Sequence, residues 1–481
     1  MSAKRQKIRY PSASDSGGRG ESSKPVVGGI EASTAKSRPE SPATSSEQLM
    51  EKICERDNCL QALKRVKSNK GSAGIDGKTV EQLPAYLKEH WPAIRDQLLS
   101  GTYQPSPVRR VEIPKPDGGV RKLGIPTVLD RMIQQAVLQV LQGEWDATFS
   151  PHSHGFRPGH SAHQAVAEAQ QYVREGRSWV VDLDLEKFFD RVNHDRLMAA
   201  VARRVADKRL LLLIRAYLKA GVMENGLVGT TEEGTPQGGP LSPLLSNLVL
   251  DELDRELGRR NHCYVRYADD CNIYVRSQQA GERVMRSIMR FISNRLKLKV
   301  NEQKSAVARP AERKFLGFSM TAGGRKRRIA PKSLLRFKQK VRKLTSRTKG
   351  IGIEQVAKKL TSYLRGWKSY FGFCETPSTF RRLDEWLRHR LRAILWKQWK
   401  RGTTRFTKLC ELGVNRGLAA RTAGSPNGVW RLANSPALSY ALPTSYFDSL
   451  GIPRLDTGKS LNPSNRRMRT RLSGGVAGVE R

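Results

Sequence analysis

The stretch Cys263-Tyr264-Val265-Arg266-Tyr267-Ala268-Asp269-Asp270-Cys271-Asn272-Ile273-Tyr274-Val275-Arg276 consists of two β-rich runs around Ala-Asp-Asp. Runs this close together predict a tight hairpin with paired acids at its tip. Upstream, Trp179-Val180-Val181-Asp182-Leu183-Asp184 reads as an apolar strand ending in acid, and the alternation of a strand puts Asp182 and Asp184 on one face. Between the two lie a helix-like stretch over Arg209–Ala220 and a Gly/Pro/Gln turn, Gly234–Pro240, which opens an apolar helix over Leu241–Leu257. A helix over Ala280–Leu296 and short strands at Leu298–Val300 and Phe315–Ser319 follow. The order strand, helix, hairpin, helix, strand predicts an α+β fold: a split βαβ antiparallel sheet with helices behind it, not a doubly wound one.

On the N-terminal side, Val108–Ile113 and Val120–Ile125 flank Pro116-Asp117-Gly118-Gly119 and predict a second hairpin, rich in Arg and Lys. Gln48–Leu99 reads as a helical lead-in broken by the loop Gly71–Thr79. That loop nearly spells a phosphate-binding loop, but it has five residues between its glycines instead of four and no preceding strand, so that reading is rejected. On the C-terminal side, residues 332–401 carry apolar side chains at helical spacing with Lys and Arg on the other faces. Residues 403–481 are rich in turn formers.

The chain has 481 residues, 86 Lys and Arg against 45 Asp and Glu, and a net charge of +41. Residues 311–481 alone hold 38 basic against 9 acidic residues. A field of that size captures a polyanion by neutralising phosphates and releasing counterions. No run approaches the roughly 18 apolar residues of a membrane span, and none opens the chain as a leader would. The six cysteines include no CxxC pair and lie far apart in a long chain, which leaves a zinc ribbon or a disulfide framework unsupported and fits a reducing, cytoplasmic setting. Residues 1–46 contain no Leu, Phe or Trp and read as a disordered arm.

Acids converging from a strand end and a neighbouring hairpin tip suit nucleotidyl transfer. That chemistry needs Mg²⁺ to activate an attacking hydroxyl and shield pyrophosphate, and Mg²⁺ takes carboxylates together with substrate oxygens. Asp184 and Asp269 converge if their strands lie side by side; Asp270 points to the other side of the turn or joins as a secondary ligand.

Tyr267-Ala268-Asp269-Asp270 with Asp184-Leu185-Glu186-Lys187-Phe188-Phe189-Asp190 resembles the palm of reverse transcriptases. The likeness extends, in the family's order, to Ile113–Gly118, Phe149–Gly159, Gly234–Asn247, Leu298–Lys304 and Phe315–Phe318. With Tyr363–Phe371 and Phe380–Asp384, this set resembles the group II intron-encoded reverse transcriptase/maturase family over roughly residues 47–450, in its form without a C-terminal endonuclease. The resemblance implies a right-hand polymerase followed by an α-helical thumb/maturase domain. Its limits would be an arm over 1–46, an N-terminal extension and fingers over 47–180, and a palm over 181–328. A helical thumb/maturase domain over 329–402 and a basic nucleic-acid-binding region with a flexible tail over 403–481 would follow.

Carried over residue by residue, the resemblance implies that Asp184, Asp269 and Asp270 are catalytic and hold two Mg²⁺ ions. Lys115 and Arg121 would hold the triphosphate of a dNTP, where a point charge and a fork suit phosphate. Phe189 would pack under the sugar and exclude a 2′-hydroxyl; its plain alternative is a core aromatic. Gln237 would contact the nucleotide, Gly238 would allow close backbone approach, and Lys304 would protonate pyrophosphate or serve as an exposed ion-pair partner. The histidines His152, His154, His160 and His163 have no acidic or Cys partner at zinc spacing and are assigned no metal. Trp367, Tyr370, Trp386, Trp396 and Trp399 could act as platforms for RNA or as core residues.

The expected partners are an intron RNA, an RNA template with a DNA primer, dNTP and target DNA, with no membrane. The expected function is an RNA-directed DNA polymerase that assists splicing of its intron and copies it during mobility. The alternatives are a non-catalytic RNA-binding splicing factor on the same fold and a domesticated reverse transcriptase with a repair role.

Overall fold

The computed structural model describes residues 48–114, 118–224, 227–229, 234, 238–348 and 350–456. The arm assigned to residues 1–46, the tail beyond 456, Lys115 and Gln237 lie outside the described residues.

Three helices lead in: α1 (Leu49–Ile53), α2 (Arg56–Asn69) and α3 (Leu83–Ser100). The glycine loop after α2 therefore follows a helix, as its rejection as a phosphate loop requires. Strands β1 (Val108–Pro114) and β2 (Val120–Ile125) form the basic hairpin, in register from Arg109 opposite Ile125 to Pro114 opposite Val120. Helix α4 (Val128–Trp145) begins at Thr127, whose side chain accepts from the Asp130 amide, and α5 (Ala162–Arg174) begins at Ser161 in the same way. Next come β3 (Trp179–Leu183), α6 (His194–Ala202), α7 (Lys208–Lys219), β4 (Val222–Glu224) and β5 (Leu227–Gly229). The last two extend the basic hairpin into a sheet of order β2-β1-β4-β5, with β4 parallel to β1.

Helix α8 (Ser242–Arg259), the hairpin β6 (Cys263–Tyr267) and β7 (Asp270–Val275), helix α9 (Gln278–Phe291) and β8 (Ala306–Ala308) complete the central sheet, of order β6-β7-β3-β8 and antiparallel throughout. Two details differ from expectation. Leu298–Val300 forms no strand: both residues are buried in the core, and Val300 makes only an isolated bridge to Leu185, so the strand that pairs with β3 is β8. The helices also cover both faces. Val181, Leu183, Cys271 and Ile273 share a core with Ile288 of α9, while Val180, Val265 and Tyr274 pack with Ala165, Val166 and Ala169 of α5. Burial on both sides is why every residue of β7 beyond Asp270 is buried, the polar Asn272 included, instead of alternating.

A small hairpin, β9 (Phe318–Met320) with β10 (Arg327–Ile329), leads to α10 (Pro331–Leu344), α11 (Ile353–Phe371) and α12 (Pro377–Gln398). Residues 403–456, read as turn-rich, form short helices instead: α13 (Gly402–Glu411), α14 (Arg416–Ala423), α15 (Val429–Leu432), α16 (Pro436–Ala441) and α17 (Thr444–Ser449). They share one core with α10–α12, which runs from Ile329 to Leu455. Phe337, fully buried, packs its ring 4.2 Å from that of Trp367 at the heart of this core. Phe337→Ala is expected to cost about 3–5 kcal/mol of stability, read as a lower urea midpoint of the C-terminal helices.

Candidate active site

Between β6 and β7 only Ala268 and Asp269 turn the chain, with Tyr267 paired to Asp270. Two-residue hairpin loops need a left-handed residue to match strand twist. Here Ala268 supplies it at φ 57° without being glycine, a conformation that costs about 1–3 kcal/mol unless the surroundings enforce it. Leu183 pairs with Cys271, so the continuing register carries Asp184 alongside Asp270, next to the turn.

The segment after β3 is laced to residues 299–305. The Asp184 amide donates to Ser305 Oγ at 3.0 Å, the Asn301 amide to the Asp184 carbonyl at 2.8 Å, and the Glu186 amide to the Lys299 carbonyl at 2.8 Å. This brings Lys304 Nζ to 3.8 Å from Asp184 Oδ2.

Charge gathers at this point. Burial pushes the Asp269 carboxyl up, the negative charge of Asp184 adds to the shift, and Arg121 on β2 opposes it. Desolvation by the surrounding protein pushes Asp270, whose side chain still reaches solvent, up to about 7, reinforced by Asp269, Asp182 and Asp184 and opposed by Lys314. Burial likewise raises Asp182, although Arg313 Nε donates to it at 2.8 Å. Carboxylates pressed together in a half-desolvated site favour a cation beside them, and their hard oxygens suit Mg²⁺. Among the described residues no three acidic, His or Cys side chains form a ready cation cage; Mg²⁺ here would draw its other ligands from nucleotide phosphates and water.

Two further candidates among the described residues are Phe189 and Gly238. Phe189 lies half-buried in the turn Phe188–Asp190, edge-on to Phe188 with centroids 5.3 Å apart. Gly238 has φ 144°, and a Cβ there would lie 2.4 Å from the Gly124 carbonyl oxygen, so only glycine lets this exposed backbone reach the end of β2. Asp184 thus lies within the electrostatic reach of Asp269 and Asp270, Lys304 is tied to Asp184 and Arg121 acts on Asp269, while Gly238 lies against the basic hairpin.

Sequence reasoning missed Ser305, which accepts from the Asp184 amide, Arg313, which pairs with Asp182, and Lys314, whose charge opposes the rise of Asp270. The histidine reading is corrected in one respect. Helix α5 brings Glu168 between His152 and His154, with His154 Nε2 at 2.7 Å from its carboxylate and the Tyr172 hydroxyl donating to it at 2.8 Å. Among the aromatics, Trp367 and Trp396 are core residues. Trp386 has Lys338, Arg342 and Arg390 at 5.8, 5.9 and 5.4 Å from its ring, a basic cluster around an aromatic face.

Comparison with known proteins bears on these observations. Residues 113–320 match the family described as reverse transcriptase (RNA-dependent DNA polymerase), and residues 334–410 match the group II intron, maturase-specific domain. Protein YkfC of Escherichia coli (strain K12) is 35% identical over 307 residues, a match that spans 55% of this chain and 80% of that protein. Group II intron-encoded protein LtrA of Lactococcus lactis subsp. cremoris is 31% identical over 325 residues, with 54% of each chain covered, so the match spans about half of that relative. The putative COX1/OXI3 intron 1 protein of Saccharomyces cerevisiae (strain ATCC 204508 / S288c) is 33% identical over 202 residues, 42% of this chain and 24% of that protein.

Proposed function

Since the chain belongs to the group II intron reverse transcriptase/maturase family, we propose that it is an active RNA-directed DNA polymerase, a nucleotidyltransferase that binds an intron RNA, assists its splicing and copies it into cDNA during intron mobility. The observation that carries this reading is the register that sets Asp184, just past the end of β3, beside the β6–β7 turn that holds Asp269; the negative charge of Asp184 raises the Asp269 carboxyl, and Arg121 opposes that shift.

Bound there by Asp184 and Asp269, with Asp270 as a further ligand, two Mg²⁺ ions would activate the primer hydroxyl and offset charge on the leaving pyrophosphate. The protein's own groups supply position. Arg121 would hold the triphosphate by its fork, joined by Lys115, while the Gly238 backbone and Gln237 line the nucleotide. Phe189 would close the space beneath the sugar against a 2′-hydroxyl. Lys304, exposed and close to Asp184, would hand a proton to pyrophosphate as it leaves.

The basic C-terminal helices would grip intron RNA, the template duplex and target DNA. Among the described residues no helix is long and apolar enough to cross a membrane, and a cytoplasmic location is proposed. RNA affinity is expected to fall about 1,000-fold or more between roughly 50 and 200 mM salt, as for six or more phosphate contacts; filter binding across a salt series measures it.

The function is tested by extending a DNA primer on an RNA template with dNTP or rNTP. Extension that prefers dNTP supports the proposal. RNA binding without extension would replace it with a non-catalytic splicing factor.

A further inference from the structure

Directly beneath the acid turn lies an ion pair with no exposure to solvent. Arg266, the residue before Tyr267, meets Asp254 of α8 as a fork, Nε to Oδ1 at 2.8 Å and Nη2 to Oδ2 at 2.5 Å, both side chains fully buried. Such a pair adds little net stability over an apolar filling of the same volume, because both ions give up their hydration. What it supplies here is direction. Nη1 of Arg266 reaches past Asp254 and donates to the Ala268 carbonyl at 2.9 Å and to Asn247 Oδ1 at 3.0 Å. Asn247, also buried in α8, donates through Nδ2 to the Gly155 carbonyl at 2.8 Å. The group held by Arg266 is thus the carbonyl of the one left-handed residue in the turn, immediately before Asp269.

The turn is also pressed by the segment 152–155. Residues 152–154 run along β6, the His154 amide donating to the Arg266 carbonyl and the Arg266 amide to the His152 carbonyl, each at 2.9 Å. Gly155 then abuts the turn so closely that a Cβ on it would lie 2.2 Å from the Ala268 nitrogen. This segment is fixed in turn by Arg157, which donates to Asp146 Oδ1 and to the Ser153 carbonyl, each at 2.9 Å. Ala268 is therefore caught between the Gly155 backbone and the Arg266 guanidinium. Through Asn247 and Asp254, the clamp also belongs to α8, the helix that follows directly on Gly238 and Gly239.

We propose that Arg266 is a positioning residue for the polymerase reaction: with Asp254 and Asn247 it clamps the Ala268 carbonyl, and so sets where the Asp269 carboxylate presents itself to the cation. This rests on the polymerase reading of Asp184 and Asp269. Arg266 touches neither substrate nor reacting atoms; it acts through the turn.

Three variants of the full chain test it. Arg266→Lys keeps the charge but lacks the fork that holds Asp254 and Ala268 together. Asn247→Ala removes one support and leaves the ion pair intact. Gly155→Ala pushes a methyl group against the Ala268 backbone. Each is checked for folding by circular dichroism, then measured for single-nucleotide extension and for Mn²⁺ retention by electron paramagnetic resonance with template and primer bound.

Arg266→Lys is expected to lose about 100-fold in kcat and Asn247→Ala about tenfold, the scale of a catalytic group displaced by about an ångström. The KM for dNTP and the RNA affinity stay within about twofold, since only the chemical step is disturbed. Mn²⁺ is held more weakly in the same order, and more Mg²⁺ is needed for half-maximal rate. Folded variants that keep native kcat and Mn²⁺ retention would overturn the clamp and leave the polymerase reading standing. Should Arg266→Lys fail to fold, Asn247→Ala and Gly155→Ala decide. A native chain that retains Mn²⁺ without extending overturns the polymerase reading, and the Mn²⁺ comparison still decides the clamp. A native chain that does neither overturns both.

Discussion

Asp269→Asn is expected to lower the rate of nucleotide addition by about 1,000-fold or more, equivalent to the several kcal/mol that a cation at the reacting phosphate contributes. The amide keeps the shape of the turn, because it is the Ala268 carbonyl, not the Asp269 side chain, that Arg266 holds. What changes is charge: a neutral amide replaces the Asp269 carboxylate, one of the acids gathered at the β6–β7 turn. RNA affinity is expected to stay within about twofold of native, since the proposed grip on phosphates belongs to the basic C-terminal helices. Single-turnover extension and filter binding on the same preparation measure both. Loss of RNA binding together with extension would indicate a misfolded chain, and undiminished extension would remove Asp269 from the chemistry.

The second large effect is expected at Phe189. Its ring lies half-buried beyond Asp184 and against Phe188, where a flat side chain can block a 2′-hydroxyl without touching the base. Phe189→Ala opens that space and is expected to reduce the preference for dNTP over rNTP by about 100-fold, within the range that steric exclusion in a pocket provides. The change falls mainly on rNTP, whose kcat/KM rises, while that for dNTP falls by less than about tenfold. The ratio of the two values is the measurement. A variant with lower thermal stability but an unaltered ratio would return Phe189 to the role of a core aromatic.

The parts of this site that were legible in sequence are those encoded within a few residues. The hairpin Cys263–Arg276 announces itself by two β-rich runs around a turn, and β3 by its apolar run ending in Asp184. Helix α9 was read from its apolar spacing, whereas α4 and α5 were not read, although Thr127 and Ser161 accept from first-turn amides as Ser277 does for α9. What was not legible depends on pairings between distant segments. Leu298 and Val300 alternate like a strand, yet they are drawn into the core, and the ladder to β3 passes to Ala306–Ala308. The short strands β4 and β5 join a sheet whose other members lie a hundred residues upstream.

Charge pairing was equally hidden. Glu168 meets its histidines 14 and 16 residues away, and Arg313 crosses 131 residues to reach Asp182. Arg266 stands in the sequence as one more basic residue of a basic chain; only the packing of α8 beneath the turn shows that its charge is fully buried and aimed at Ala268. The helices of 403–456 were read as turns because they are short and rich in Gly, Ser and Pro, and their order comes from the core they share with α10–α12.

The central claim is that Asp184 and Asp269 together make this chain a metal-dependent polymerase, and the most direct measurement is the rate of the first dNTP addition by the native chain on a pre-bound RNA template and DNA primer as Mg²⁺ is titrated. The account predicts no addition in the presence of chelator, a rise steeper than first order in Mg²⁺ as two ions enter, and RNA binding that is the same throughout. Tight, salt-sensitive RNA binding with no addition at any Mg²⁺ concentration would contradict it and leave an RNA-binding splicing factor on a polymerase fold.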